Sequence, residues 1–205
     1  MNCGYCFAMA AREKTETIRR QILQASDNLL YHKGFNQMSF SDIADASSVP
    51  RGNLYYYFKT KEEVLAAVID HRLSNMKNML REWEATIDSP LDRLKRYVGI
   101  PLNELDNVMR YGCPMGSLNS ELGKTQSDLK KISKMQFDVF MFWLQNQFRL
   151  LQPDGDAKTL TMHLLVRTQG LALMASIYGD RNLVKWEVES INAWLDSLSH
   201  SVISA

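Results

Sequence analysis

Apolar side chains recur every three or four positions through most of this chain. Nowhere do they alternate with the period of two that a half-buried strand needs. Residues 15–32 place Ile18, Ile22, Leu23, Ala25, Leu29 and Leu30 on one helical face. Lys33-Gly34 then supplies the cation and the left-handed stop that close such a helix. Ser39-x-x-Asp42 is a capping signature for a second, short helix whose inward face holds Ile43 and Ala44. Pro50, with its fixed φ, starts a third, in which Leu54 and Phe58 form the buried seam. A long helix follows over 61–83, capped by Thr60 and striped by Val64, Leu65, Val68, Ile69, Leu73, Met76, Leu80 and Trp83. Ser89-Pro90-x-Asp92 opens the next one, and Gly99 and Pro101 inside it predict a kink or a break.

The run Tyr111-Gly112-Cys113-Pro114-Met115-Gly116 interrupts the pattern, with a short helical piece over 117–122 behind it. Residues 127–151 are apolar nearly all round, which predicts burial on several sides. Pro153-Asp154-Gly155 turns the chain into a closing hairpin of helices over 156–178 and 184–202. The expected fold is all-α: a three-helix helix-turn-helix domain over 12–60, then a helical bundle over 61–205. Residues 1–11 are expected to form a disordered tail in front. The first domain's expected core is Ile22, Ala25, Leu29, Phe35, Phe40, Ile43, Ala44, Val49, Leu54 and Phe58. That is little for about sixty residues, so the domain should lean on the helices behind it.

Composition changes this picture little. A hydrophobic share of 45% and a charged share of 23% are ordinary for a globular protein, and a net charge of +1 gives the whole molecule no general affinity for polyanions. The stretch 12–61 differs, with eight Lys and Arg against five Asp and Glu. No apolar run approaches the ~18 residues of a membrane span. The first nine residues lack the basic segment of a signal peptide, so a cytoplasmic protein without a membrane partner is expected. Cys3-x-x-Cys6 has no second pair to complete a zinc site, and neither a metal nor a cofactor is expected.

The candidate chemistry concentrates over 39–61. Arg51, Lys59 and Lys61 bring three cations to 51–61, which contains no acid. With Leu54 and Phe58 turned inward, Arg51, Asn53, Tyr55, Tyr56 and Tyr57 face outward or sideways. A short basic, hydroxyl-rich helix behind a helix and a turn has the form of a major-groove reader. The run D-I-A-D-A-S-S-V-P-R-G-N-L-Y-Y-Y-F-K-T-K-E-E-V-L, residues 42–65, resembles the helix-turn-helix signature of the TetR/AcrR family of bacterial transcriptional repressors. The resemblance implies a homodimer, paired through its last two helices, on a palindromic double-stranded DNA operator. It also implies a second domain in which a small-molecule effector causes release. Carried over by position, Arg51, Gly52 and Asn53 would meet base edges, and Tyr55, Tyr57 and Lys61 would meet phosphates, with Tyr56 beside them as a further DNA-binding candidate. The chemistry agrees: an Arg fork suits guanine and an Asn suits adenine, while Tyr hydroxyls and Lys fix register on the backbone. The plainer reading of Tyr56 or Tyr57 is packing within the helix-turn-helix.

A second resemblance lies in Gly112-Cys113-x-x-Gly116-x-Leu118-x-x-Glu121-Leu122. This segment is similar to that of a TetR subgroup that includes the N-ethylmaleimide reductase repressor and others that respond to electrophiles and oxidants. It makes Cys113, near the positive end of a helix dipole, a candidate redox-sensing thiol. The competing reading is a small residue packed under a tight turn, and Pro114 departs from the subgroup's usual apolar residue. An effector pocket is expected among the break near Pro101 and the helices over 127–151 and 156–178. Its candidate lining is Phe137, Phe140, Met141, Leu144, His163, Arg167, Gln169 and Met174, suited to a mostly apolar or aromatic ligand. The same residues also describe a core, with His163 and Arg167 at an interface or in solvent. Leu164, Leu165, Leu171, Ala172, Ala175 and Ser176, with Val188, Ile191, Trp194, Leu195 and Leu198, are the expected dimer surface. Two other functions compete: an effector-independent architectural DNA binder of the same fold, and an enzyme using Cys113 and His163. No third group orients the histidine and no oxyanion loop is present, so no enzyme is expected.

Overall fold

Helices make up all the regular structure in the computed structural model, which describes residues 3–123 and 126–200. The chain divides into two units, Met1–Arg72 with Glu121–Ile132, and Leu73–Ser120 with Ser133–Ala205. The first unit therefore takes in more of the long helix than the expected boundary after residue 60, together with a segment from the middle of the chain.

In the first unit, α1 (Cys3–His32) is longer than the apolar stripe predicts. The helix reaches back through the stretch expected as a disordered tail; Ala8, Met9, Ala10 and Ala11 in it, and Arg12, Glu13 and Lys14 just after it, are all good helix formers. Propensity without an apolar stripe leaves no periodic signal, which is why the pattern starts only at Ile18. The side chains of Cys3 and Cys6, and so the zinc question, lie outside the described residues. Gly34 ends the helix at φ +83°, a left-handed value that glycine adopts at little cost.

The next turn sends Phe35 and Met38 into the core before α2 (Phe40–Ser47) begins. Its capping box is complete: Ser39 Oγ accepts the Asp42 N–H at 3.2 Å, and Asp42 Oδ2 accepts the Ser39 N–H at 2.8 Å. Ser48 closes α2 in the left-handed region, and Pro50 is the N-cap of α3 (Arg51–Tyr57). Thr60 Oγ1 accepts the Glu63 N–H at 3.2 Å at the start of α4 (Lys61–Thr86), and the Glu63 carboxylate accepts the Lys59 N–H at 2.7 Å. Ile22, Phe35, Met38, Ile43, Leu54, Leu65 and Ile69 are all but fully buried. Each such side chain contributes about 1.5–3 kcal/mol of transfer free energy. Leu29, Phe40 and Ala44, expected in this core, are only half-buried.

The second unit holds the rest of α4, then α5 (Pro90–Val98), α6 (Ile100–Asn103), α7 (Leu105–Tyr111), α8 (Pro114–Leu122) up to Ser120, α9 (Ser127–Leu151) from Ser133, α10 (Ala157–Tyr178) and α11 (Arg181–His200). The break foreseen near Pro101 separates α5 from α6, because a proline cannot donate to the carbonyl one turn back. The short piece expected over 117–122 starts earlier, with Pro114 at the first helical position, where a missing N–H costs nothing. Leu94, Leu144, Phe148, Leu164, Ala175, Ile191 and Leu195 are at the centre of the core. A polar network ties α4, α5 and α9 together. Glu84 Oε1 accepts from Trp143 Nε1 at 2.9 Å and from Gln147 Nε2 at 3.3 Å. Arg93 donates to Gln147 Oε1 at 3.2 Å and to the Ile87 and Glu84 carbonyls at 2.7 and 3.0 Å.

Two expectations about faces are corrected. Helix α9 is not enclosed: Met135, Phe142 and Leu150 form an exposed apolar edge, with Phe142 61% accessible. Of the residues expected at a dimer surface on α10 and α11, Leu164, Leu165, Leu171, Ala172, Ala175, Val188, Ile191 and Leu195 are buried within the protomer itself, and Ser176, Trp194 and Leu198 are half-buried. The large apolar residues left outside are Met162, Val166, Leu173, Met174, Ile177 and Tyr178 on α10 and Trp186 on α11.

Candidate nucleic-acid interface

Helix α3 is seven residues long, and its orientation rests on Leu54 and Phe58, which are 1% and 3% exposed. That seam leaves Arg51, Gly52 and Asn53 on the surface at the start of the helix. A Cβ built on Gly52 would meet nothing within 4 Å, so the backbone there is open to close approach. Tyr56 is the most exposed of the three tyrosines on α3, at 74%, and its ring meets Tyr57 edge-on at 5.1 Å. Tyr57 is half-buried. The Tyr55 ring stacks on Phe40 of α2 at 4.9 Å and 6°, so it braces the two helices against each other. Lys59 Nζ donates to the Tyr55 carbonyl at the end of α3. The arrangement offers one Arg fork, one amide and a row of phenols on a short helix held from behind by apolar packing.

Lys61 stands apart from this row. Its ammonium donates to the carbonyl of Phe35 at 3.1 Å and, more weakly, to that of Asn36 at 3.5 Å, and lies 4.7 Å from the centre of the Phe35 ring. The N–H groups of the same two residues are taken by Glu121, whose carboxylate accepts from Phe35 at 3.0 Å and from Asn36 at 2.8 Å. Sequence reasoning assigned Glu121 no contact here, and its separation of 85 residues from Asn36 left no local signal.

The eight candidate effector residues do not form one site. Phe140 and Leu144 are buried in the core of the second unit, with the Phe140 ring 5.1 Å from that of Tyr97. Phe137 and Met141 are half-buried on the same helix. His163 is exposed, with its ring 4.7 Å from that of Trp194. Arg167 is paired with Glu187 at 2.8 Å and with Ser190 Oγ at 2.9 Å, so it is not held ready for an anionic ligand beside His163. Arg167 and Met174 line an open groove between α10 and α11, together with Gly170, Leu183 and Trp186.

Gln169 lies elsewhere again, with its Oε1 2.9 Å from the position a Cβ would take on Gly116. It belongs with the turn that carries Cys113. There Gly112 has φ +75°, Ser117 Oγ donates to the Tyr111 carbonyl at 3.0 Å, and Cys113 Sγ accepts the Gly116 N–H at 3.4 Å. Cys113 thus caps α8, half-buried rather than sealed off. Tyr97 is near it, and its hydroxyl shares a 3.4 Å hydrogen bond with Thr168. Burial pushes the Tyr97 hydroxyl up to about 12; the Thr168 bond acts against this, and the neighbouring Cys113 adds to it.

Among the described residues no helix is long and apolar enough to cross a membrane. Residues 22–68 match the family described as bacterial regulatory proteins, tetR family. An uncharacterized HTH-type transcriptional regulator in the lacX 3' region of Lactococcus lactis subsp. lactis is 35% identical over 115 residues, or 55% of this chain and 59% of that protein. The HTH-type transcriptional regulator TtgR of Pseudomonas putida is 29% identical over 96 residues, 46% of this chain and 45% of that protein. The chain thus spans only about half the length of these curated relatives in each match. Likeness of fold extends further. A TetR-family transcriptional regulator from Agrobacterium tumefaciens superposes with a TM-score of 0.77 over 87% of this chain and 97% of that one, at 18% identity. The reduced form of Escherichia coli NemR gives 0.73 over 85% and 95%, at 19% identity, which is likeness of fold alone. Residues 22–68, which carry the helix-turn-helix geometry described above, are thus similar to the N-terminal domain of the tetR family of bacterial regulatory proteins.

Proposed function

We propose that this chain is a TetR-type transcriptional regulator that represses by binding double-stranded DNA as a homodimer in the cytoplasm, and is no enzyme. The observation that carries this reading is the outer face of α3, where Arg51, Gly52 and Asn53 stand free of the core over a helix fixed by Leu54 and Phe58. In this reading Arg51 and Asn53 meet base edges and Gly52 lets the backbone approach the groove. Tyr56 and Tyr57 bind phosphate through their hydroxyls, and Tyr55 does so while its ring braces α2. Residues 12–60 are the DNA-binding domain and 61–205 the effector-binding and dimerisation domain.

The dimer surface in this proposal is the exposed apolar face of α10 and α11, including Val166, Leu173, Ile177 and Trp186. A two-fold axis there would match a palindromic operator. Release would come from a small molecule or an electrophile, and the capped, half-buried Cys113 beside Tyr97 and Gln169 is the place we assign to it. The direct test is to recover duplexes from a randomised double-stranded pool and measure binding against salt. A palindromic preference with a steep log–log salt dependence is expected. Binding that no duplex sequence improves would leave an architectural role instead. Loss of release by an electrophile panel in Cys113→Ser, with release of the parent, is the expected result for the sensor.

A further inference from the structure

The turn between α1 and α2 is held by two side chains of opposite charge, both from beyond the helix-turn-helix. Gly34 enters it at φ +83°, and Phe35 is its fully buried anchor. Lys61 supplies hydrogen bonds to the Phe35 and Asn36 carbonyls, and Glu121 accepts from the Phe35 and Asn36 amides. All four polar groups of two successive residues are thereby satisfied without water or regular secondary structure. The packing leaves no slack: a Cβ on Gly34 would come within 2.9 Å of Glu121 Oε2. Three residues after the pair comes Ser39, whose capping box starts α2, and then Phe40, on which Tyr55 of α3 stacks. The turn therefore sets where both helices of the reader begin.

We propose that Glu121 and Lys61 are the positioning residues of the DNA reader: they clamp the 34–36 turn, and Lys61 does this instead of binding a phosphate. The proposal rests on the DNA-binding reading above. The chemistry separates the two tasks for Lys61. An ammonium kept for phosphate points its donors to solvent, whereas this one is half-buried against the Phe35 ring with backbone carbonyls as acceptors. A carboxylate near a polyanion is ordinarily unfavourable, and the Glu121 carboxylate is instead occupied by hydrogen bonds from two backbone amides. Both of its oxygens are needed as acceptors; a carboxamide can take one amide and leaves the other unpaired.

The test compares the full chain with Glu121→Gln, Lys61→Met and the double variant. Amide hydrogen exchange is followed at the peptide covering 34–38. Binding is followed to the duplex that the parent enriches from a randomised pool, across a salt series. Glu121→Gln should speed exchange of that peptide and weaken binding about tenfold, the loss of one charge-assisted hydrogen bond, with the salt slope unchanged. Lys61→Met should weaken binding with the slope also unchanged, and the double variant should lose less than the product of the two. A slope that drops by about 0.9 in Lys61→Met would make it a phosphate contact and overturn its part. Unchanged exchange and unchanged binding in Glu121→Gln would overturn the clamp. If the parent enriches no duplex, the DNA-binding reading fails while the exchange measurement still decides whether the turn is clamped. Lys61→Met carries the test should Glu121→Gln not fold.

Discussion

Arg51 carries the sharpest expectation for a single side chain, because a guanidinium fork discriminates one base pair while a phenol on a phosphate discriminates none. Arg51→Ala should weaken binding to the preferred duplex by about 1–3 kcal/mol and flatten the preference at one position in each half-site. Binding to that duplex and its single-pair variants checks both. What the sequence makes readable at this scale depends on distance along the chain. Leu54 and Phe58 were legible as a buried seam because their spacing of four is the period of a helix. Lys61 was legible as a cation, but nothing local says where its ammonium goes, since Phe35 and Asn36 are more than twenty residues away. The contact of Glu121 with this turn was invisible for the same reason, and more so. His163 and Arg167 look like one anion site when written four apart, yet the first faces Trp194 and the second is held by Glu187 and Ser190.

Among the elements, α2 is one whose beginning depends on a titrating group. Asp42 closes the capping box and also receives Lys33 Nζ at 2.7 Å. Its carboxyl is held at about 2 instead of 3.8, first by the Lys33 hydrogen bond and then by the Ser39 hydroxyl and amide. A folded-state value below the unfolded one means a contribution fully present above the unfolded value of 3.8. It is lost as the pH falls from there through about 2, below which both states carry the proton. Asp42→Asn should therefore lower the thermal midpoint at neutral pH and flatten its decline in that acid window, measured beside the parent. Caps of this kind are readable because both partners lie within one turn. The beginning of α1 was not, since good helix formers with no apolar stripe carry propensity but no period. The beginning of α8 was missed for a different reason. Pro114 looks like a breaker, and only the Cys113 cap in front of it turns the proline into a first helical residue.

At the scale of the whole chain the all-helical class was written in the period of the apolar residues. The surface through which the bundle would pair was not. Helix α10 is apolar on two faces, one toward its own core through Leu164, Leu171 and Ala175, the other outward through Val166, Leu173 and Ile177. A helix that is apolar on two faces has no single period that says which side is which. The outward face, with Trp186 of α11 at 65% exposure, nonetheless has a thermodynamic consequence. If pairing covers it, unfolding releases two chains from one particle, and the law of mass action enters the stability. Each tenfold rise in protein concentration should then add about 1.4 kcal/mol to the unfolding free energy per dimer, and the thermal midpoint should climb with it. A midpoint that is constant over a hundredfold dilution, with a single-chain mass by sedimentation, would be the opposite result. Trp186→Glu should give that flat behaviour by design. For such a protein dilution is itself a denaturant: the number of copies a cell makes would help decide whether each copy stays folded.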